Sequence, residues 1–392
     1  MLSEMKDFAA IVGVGLTELG KVPGVSSMQL HEIALRRALE DAGMQYSDLD
    51  GLITCSSMVD KYMRHAMVFG EYLGILEQLK FAKSIHLGGA SSIMAVQEAA
   101  MLIRSGLCQT VAIVTADNQL SGLTRDKAVE AMASFRHSEF EAPYGPLNPT
   151  TFALLAQRHM HEYGTTSEQF AEVAVAMRRH ASLNEKAQMR EPITIEDVLN
   201  SKMISTPLHI LDCSLVSDGG GAVIVTSAER AREWKGKPVY VRGMGSGTAA
   251  HDHISLTKGL DRLGLDIAAK DAFRMADLTP EDIDVAELYD CFTISVILSL
   301  EQIGFCKPGE GGSFVENGGI QIDGRLPVNT HGGLLSCCHP GYPASMFHLI
   351  EGVQQIRGDC GERQVGNARH ALVHGLGGMY SVHSIVILGG DI

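Results

Sequence analysis

Short apolar runs alternate along this chain with longer stretches in which apolar residues recur every three or four positions. Residues 8–14 and 110–115 have the form of buried strands, whereas residues 27–42 have the apolar spacing of a helix that buries one face. A strand over residues 51–54 and a helix over residues 93–106 are predicted between them. This order predicts parallel strands with helices packed on the sheet, which is an α/β fold.

The same order returns in the second half of the sequence. Residues 42–50 align with residues 276–284 without a gap, and an Asp-Leu-Asp before one predicted strand then falls on an Asp-Ile-Asp before another. The helix at 93–106 has a counterpart at 344–358, and an apolar strand follows each of them. Because several matches occur in the same order, the sequence predicts a duplicated half.

The segment 117–205 differs from both halves because it is rich in Met, His and Arg. It is predicted to be an inserted loop region, and long insertions of this kind usually cover a functional site. The remaining boundaries follow from it: residues 1–116 form the first part of the N-terminal half, residues 206–235 return to it, and residues 236–392 form the C-terminal half.

Composition excludes several classes of function. The 392 residues carry a net charge of −14 with no block of Lys or Arg, so nucleic acid is not an expected partner. No apolar run approaches the roughly 20 residues that span a bilayer, and we expect a cytoplasmic protein. The eight cysteines form no CxxC pair, and the histidines form no HExxH motif, so no structural metal is expected.

The most informative turn is Ile85-His-Leu-Gly-Gly89-Ala-Ser-Ser92, which lies between a predicted strand and a predicted helix. The first turn of a helix has free backbone N–H groups, which suit a nucleophile or an oxyanion. Yet the turn contains no cysteine. It therefore resembles a site of attack that lacks the attacking atom.

Three further clusters of reactive side chains lie at predicted strand ends, which is where sheets of this kind bind ligands. Each Tyr, Cys or His alone would be an ordinary core residue, but together they form an acid/base set. The clusters are Glu287-Leu-Tyr289-Asp290-Cys291-Phe-Thr293, Val328-Asn329-Thr-His331-Gly-Gly333 continuing to Cys337-Cys338-His339-Pro340-Gly341, and His374-Gly-Leu-Gly377-Gly378-Met-Tyr380.

Four motifs follow one another in order over nearly the full length: Gly88-Gly89-Ala-Ser-Ser, Tyr289-Asp-Cys291-Phe, Asn329-Thr-His-Gly-Gly with Cys338-His339-Pro-Gly, and Gly375-Leu-Gly377-Gly378. This ordered set resembles the thiolase superfamily, and most of all the sterol carrier protein-type thiolases and their aldolase-like relatives. The resemblance implies a duplicated thiolase fold with layers αβαβα, two mixed five-stranded sheets and an inserted loop domain.

Two departures from the family pattern bear on the chemistry. The acyl-accepting cysteine of the family falls on Gly89, so covalent acyl transfer through that position is chemically impossible. The histidine of the family's His-Asp-Cys-Phe motif, which helps to bind the thioester oxygen, is Tyr289 here. The second acid/base cysteine, Cys291, and the histidine of the Gly-His-Pro motif, His339, are retained. The serines after Gly89 are expected to cap the helix.

What remains can stabilise an enolate beside a CoA thioester without an acyl-enzyme. The backbone N–H groups of Gly89 and Gly377 match a thiolase oxyanion hole, and such donors are worth about 3–4 kcal/mol each where charge develops. His339 is expected to bind the thioester oxygen, and Asn329 is expected at the same substrate-binding site. The resemblance therefore implies aldol or retro-aldol chemistry on a β-hydroxyacyl-CoA.

In this hypothesis Tyr289 is the base for the substrate hydroxyl and Cys291 is the acid for the α-carbon. A tyrosine with an unperturbed pKa near 10 is a poor base at neutral pH. The hypothesis therefore requires a hydrogen-bonding or charged neighbour for Tyr289, and His331 is the candidate.

Two alternatives stay open. The chain could be a Claisen-type acyltransferase with a displaced nucleophile, for which Cys338 or Cys337, beside His339, is the candidate. It could also be a non-catalytic subunit of a complex. We rank the aldolase first because Tyr289 replaces a family residue where the nucleophile is lost, which suits altered chemistry better than decay.

The resemblance also implies partners. An acyl-CoA is the expected substrate, with coenzyme A as part of it and no other cofactor or metal. Thiolase-like proteins generally dimerise, so a homodimer is expected. Relatives that lack the cysteine often work with a small OB-fold protein that carries a zinc ribbon, and such a partner is expected here.

Overall fold

The structure, a computed structural model, describes residues 5–234, 236–261 and 263–390. Strands and helices alternate as the apolar pattern predicts. Within the described ranges the strands are β1 Ala9–Leu16, β2 Gly51–Cys55, β3 Phe81–Ile85, β4 Thr110–Asn118, β5 Met203–Ser205, β6 Leu208–His209, β7 Asp218–Ser227, β8 Val239–Thr248, β9 Val285–Glu287, β10 His370–Gly377 and β11 Val382–Gly389. The α-helices are α1 Ser27–Ala42, α2 His65–Tyr72, α3 Ser91–Arg104, α4 Gln119–Gly122, α5 Arg125–Ala133, α6 Asn148–Tyr163, α7 Ser167–Ser182, α8 Ile195–Asn200, α9 Ala228–Ala231, α10 Leu265–Ala276, α11 Thr293–Ile303, α12 Gly311–Val315 and α13 Ser345–Arg357.

The main sheet of the described chain is mixed and has nine strands in the order β3-β2-β4-β7-β1-β8-β11-β10-β9. Its two halves meet at β1 and β8, which pair antiparallel over only two residue pairs. The expected two five-stranded sheets are thus joined into one. The fifth strand of the second half is reduced to a single parallel bridge between Ala286 and Val328, beside β9.

The two aligned Asp-x-Asp segments make equivalent hydrogen bonds in the two halves. Asp50 accepts a hydrogen bond from the N–H of Thr110, the first residue of β4, at 2.9 Å. Asp284 accepts one from the N–H of His370, the first residue of β10, also at 2.9 Å. The predicted duplication is therefore a repeated structural unit, in which an aspartate holds the start of the next strand.

Helices and half-sheets form five layers. Helix α1 packs on β1, β4 and β7, whereas α10 packs on β8 and β11. Helices α3 and α13 contact strands of both halves and so lie between them, in a core that both half-sheets share. These are the layers αβαβα. None of the described helices is long and apolar enough to cross a membrane.

The inserted region lies against the second half. The chain leaves the main sheet after Asn118 and returns at Asp218. This excursion is longer than residues 117–205 because β5 and β6 form a separate two-stranded sheet before the chain returns. His159 of α6 lies 3.0 Å from the carboxylate of Glu301 in α11, and both are buried, so the insertion is fixed to the C-terminal half.

Candidate active site

The turn before α3 is closed by its own serine. The hydroxyl of Ser91 accepts from the N–H of Leu87 at 2.9 Å and donates to the carbonyl of Gly88 at 2.7 Å. Gly88 has a left-handed backbone, with φ of 59°. Ser91 therefore holds the turn together, and neither of its partners is a base that could activate it.

Gly377 packs directly against this turn. A Cβ at position 88 would lie 3.2 Å from the Cα of Gly377, and a Cβ at position 377 would overlap the carbonyl oxygen of Leu87. Only glycines permit two backbones to approach this closely. The structure therefore brings together the two predicted oxyanion residues, Gly89 and Gly377, from opposite ends of the chain.

The side chain of Tyr289 fills the space beside Gly89. A Cβ at position 89 would overlap the hydroxyl oxygen and the adjoining ring carbon of Tyr289. The tyrosine is 5% exposed and reaches this position from the segment directly after β9. Position 89 can therefore carry no side chain while Tyr289 is present, so the two departures from the family motif depend on each other sterically.

His339 is the hydrogen-bonding partner of Tyr289. Its Nε2 lies 3.2 Å from the tyrosine hydroxyl, while its Nδ1 lies 3.2 Å from the carbonyl oxygen of Leu215 and 3.0 Å from Oγ of Ser214. A carbonyl can only accept, so we assign the ring proton to Nδ1 and the free lone pair to Nε2. Burial lowers the pKa of His339 to about 4. The ring is therefore neutral at pH 7 and accepts the tyrosine proton.

Tyr289 does not act as a phenolate. Burial raises its pKa well above its ordinary value, and the nearby Cys291 and Asp290 raise it further. A protonated tyrosine can still serve as a relay, because its oxygen accepts one proton while its own proton passes to His339. The pair of Tyr289 and His339 can therefore take up a proton as a unit.

Cys291 is placed as a proton donor. Its sulfur lies 3.5 Å from Oγ of Ser295, and burial raises the pKa of the thiol to about 12. A thiol with so high a pKa is not a thiolate nucleophile at neutral pH. It can still donate a proton to a strongly basic carbanion.

Cys337 and Cys338 lie on the same loop as His339, and both thiols are buried. Burial raises the pKa of Cys338 well above its ordinary value, whereas a hydrogen bond with Cys338 and the nearby His331 lower the pKa of Cys337. Cys337 accepts a hydrogen bond from the amide of Asn184 at 3.6 Å. The ring nitrogens of His339 are occupied by Tyr289, Leu215 and Ser214, so His339 is not positioned to activate either thiol.

His331 contacts the ring of His348, and His348 in turn contacts Tyr289. Nδ1 of His331 is 3.0 Å from the carboxylate of Glu287, and the ring of His331 meets the edge of His348 at 4.9 Å between centroids. The ring that stacks on Tyr289 is His348, at 6.0 Å and 16°. The prediction that His331 is the neighbour of Tyr289 is therefore wrong, because its pairing with the buried Glu287 draws the ring away.

Asn329 holds the backbone of the residue that precedes Tyr289. The backbone of Asn329 is left-handed, with φ of 52°, and its amide accepts from the N–H of Leu288 at 2.6 Å and donates to the carbonyl of Leu288 at 2.7 Å. Both ends of the amide are thus engaged with the backbone of Leu288, and the expected role in substrate binding stays a prediction. Asn329 fixes the residue that precedes Tyr289.

One buried cluster has the composition of a metal site. Glu287, His331 and His348 lie close enough together to bind one ion. However, His348 Nε2 lies 2.9 Å from the carbonyl of Leu288, and Glu287 faces His331 directly. Oε2 of Glu287 and both ring nitrogens of His331 are buried without a hydrogen-bond partner, whereas His348 is engaged by the backbone.

A duplicated α/β sheet, with a glycine turn before one central helix and a histidine turn before the other, defines a protein of the thiolase fold. Residues 9–229 match the family described as thiolase, N-terminal domain, and residues 246–390 match the thiolase C-terminal domain-like family. The chain belongs to the thiolase family.

Named relatives point to two kinds of activity. The chain is 36% identical over 403 residues to the steroid side-chain-cleaving aldolase of Thermomonospora curvata, which covers 100% of both chains. It is also 36% identical over 381 residues to the acetyl-CoA acetyltransferase of Methanothermobacter thermautotrophicus, covering 95% of this chain and 97% of that protein. The solved structure of the Ltp2-ChsH2(DUF35) aldolase has a TM-score of 0.87 and 36% identity, and covers 99% of both chains.

Two residues at the site were not found from the sequence. Ser214 lies in the returning segment and contacts His339 from 125 positions away. His348 lies within the predicted helix 344–358, where a lone histidine gives no signal of its own. The sequence pattern could locate the motif residues, but it could not show which distant side chains complete them.

Proposed function

We propose that this protein cleaves or forms a carbon–carbon bond next to a CoA thioester by non-covalent aldol chemistry. One observation carries the proposal. The Tyr289 side chain occupies the volume that a nucleophile at position 89 needs, and its hydroxyl lies 3.2 Å from the neutral His339. The site therefore has the base Tyr289–His339 in place of the nucleophilic cysteine of the family.

In the cleavage direction the substrate is a β-hydroxyacyl-CoA. Tyr289 takes the β-hydroxyl proton as its own proton moves to Nε2 of His339. The oxygen forms a carbonyl, the bond between Cα and Cβ breaks, and its electron pair forms the thioester enolate. The N–H groups of Gly89 and Gly377 stabilise the enolate oxygen, and Cys291 protonates Cα. The products are a ketone or aldehyde and a shortened acyl-CoA.

The relatives include both aldolases and acyltransferases, so the choice between these two activities rests on the geometry of the site. The thiolase-type alternative requires an activated thiolate, and the ring nitrogens of His339, the predicted activating base, are engaged by Tyr289, Leu215 and Ser214 instead. The third alternative, a non-catalytic subunit, does not account for the Tyr289–His339 contact. Aldol chemistry uses each group as the structure holds it.

The substrate, partners and compartment remain parts of the proposal. A cavity of about 380 Å³ is lined by His251, Thr257, Lys258 and Asp261, and its donors are the ones we assign to the phosphates of coenzyme A. The edge strand β3 suits pairing with a second copy in a homodimer. The similar Ltp2-ChsH2(DUF35) aldolase supports a second subunit, which we propose is the expected small OB-fold protein with a zinc ribbon. Eight free cysteines suit the cytoplasm.

The test is direct. The protein, alone and with a DUF35-type partner, is incubated with a series of synthetic β-hydroxyacyl-CoA esters, and chromatography detects the carbonyl product and the shortened acyl-CoA. We expect both in equal amounts from wild type. Thiolysis of a β-ketoacyl-CoA, without any cleavage of β-hydroxyacyl esters, would overturn the proposal.

A further inference from the structure

His348 lies directly beneath the ring of Tyr289. It occupies the first turn of α13, is fully buried, and stacks on the phenol at 6.0 Å between centroids with 16° between planes. Aromatic contacts in this geometry restrict the orientation of both rings. His348 is therefore placed to define the plane in which the Tyr289 hydroxyl lies.

The hydrogen bonds of His348 hold both neighbours of Tyr289 in the chain. Its Nε2 lies 2.9 Å from the carbonyl of Leu288 and 3.2 Å from Oδ1 of Asp290. One imidazole thus fixes the backbone before the tyrosine and the side chain after it. With the stacking contact, this gives three restraints on one residue.

Asp290 extends these restraints to the loop of His339. Its carboxylate accepts from the N–H of Leu334 at 2.8 Å and from the N–H of Leu335 at 3.3 Å. Those amides belong to a single π-helical turn, Gly333–Cys337, which leads into His339. A buried network anchored by His348 therefore connects the two elements that carry Tyr289 and His339.

We propose that His348 is a positioning residue that sets the contact between Tyr289 and His339. This inference rests on the proposed function, since it assumes that the pair is the catalytic base. A misplacement of about 1 Å can cost a reaction 10²-fold, and a 3.2 Å hydrogen bond depends on just such precision. His348 itself touches no reacting atom in this scheme.

Two variants separate its contributions. His348→Phe keeps a flat ring but loses the donor, whereas His348→Gln keeps an N–H donor but loses the ring. We expect kcat of His348→Phe to fall about 10- to 100-fold with KM changed less than about twofold, and His348→Gln to recover part of the loss. His65→Leu, which removes another buried histidine, one that contacts Thr54 and His31, is the control for stability.

The nitrogen-15 spectrum of the histidine rings gives a readout that does not depend on turnover. In His348→Phe the Nε2 resonance of His339 should move towards that of a nitrogen without a hydrogen-bond partner, and in His65→Leu it should not move. An unchanged resonance, or a kcat of His348→Phe equal to that of His65→Leu, overturns the positioning role. Absence of cleavage by wild type would instead overturn the proposed function, and the spectrum would still test the positioning.

Discussion

The turns that precede the two central helices differ in what they offer a substrate. The turn before α3 is Gly88-Gly89, and it presents backbone alone. The turn before α13 follows His339, whose side chain reaches Tyr289. The two helices are counterparts in a duplicated fold, yet only the turn before α13 carries a side chain that contacts Tyr289.

This difference shows how a duplicated scaffold can change its chemistry in one half. Asp50 and Asp284 still hold equivalent strands in place, so the architecture of both halves is kept. The side chain lost at position 89 is replaced in space by Tyr289, which comes from the other half. The backbone N–H of residue 89 is kept in this exchange, because a backbone donor does not depend on which side chain its residue carries. The residue must only be small enough to fit beside Tyr289.

The largest expected effect is that of Tyr289→Phe. The ring and its stacking on His348 stay, but the hydroxyl that relays the proton is gone. Removal of a positioned general base typically costs 10²–10⁴-fold, so kcat for cleavage should fall about 10³-fold. Steady-state kinetics measure this, with thermal melting as the control for folding. Undiminished cleavage would mean that the second half does not supply the base.

A cysteine at position 89 tests whether Gly89 and Tyr289 depend on each other sterically. Gly89→Cys should overlap Tyr289 and displace it, so cleavage should fall on the order of 10²-fold and the protein should lose about 1–3 kcal/mol of stability. The double variant Gly89→Cys with Tyr289→His should recover that stability, because the smaller ring makes room. If Gly89→Cys is as stable and active as wild type, the two positions are independent.

Ser214→Ala should have a smaller effect. The variant removes one oxygen beside Nδ1 of His339, while the carbonyl of Leu215 still accepts from it. A hydrogen bond of this kind is worth about 1 kcal/mol, so kcat should fall about fivefold with little change in KM. A loss as large as that of Tyr289→Phe would show that Ser214 itself takes part in proton transfer.

The smallest expected effect is that of mild acid. Burial lowers the pKa of His339 to about 4, so its Nε2 stays free to accept a proton as the pH falls from 7 to 5. kcat/KM should therefore change less than about twofold over that range, whereas a histidine with an ordinary pKa of 6.5 would lose roughly 30-fold. Activity should disappear only as the pH falls through about 4. Circular dichroism at each pH confirms that the fold is intact.

The sequence predicted the elements and motif residues because these depend on local patterns. Gly89, Tyr289, Cys291 and His339 each lie in a recognisable block beside a strand or helix. The partners of these residues depend on tertiary packing, which local patterns do not contain. His331 was expected beside Tyr289 from its place in a motif, but its pairing with Glu287 turns it elsewhere.

The supporting residues show the same limit. Asn329 belongs to a motif that suggests ligand binding, yet its amide is used by the backbone of Leu288. His348 has no motif at all, although it contacts Tyr289 directly. Long-range hydrogen bonds thus decide which motif side chain is engaged by the backbone and which one contacts Tyr289.

The most direct test of the account is the intact mass of the protein during turnover. Enzyme is mixed with acyl-CoA substrate, quenched at times shorter than one turnover and beyond it, and weighed by mass spectrometry while product is measured in the same samples. We expect cleavage products to accumulate while the mass of the chain stays that of the free protein. An acyl adduct that forms as fast as product, and maps to Cys337 or Cys338, would contradict it.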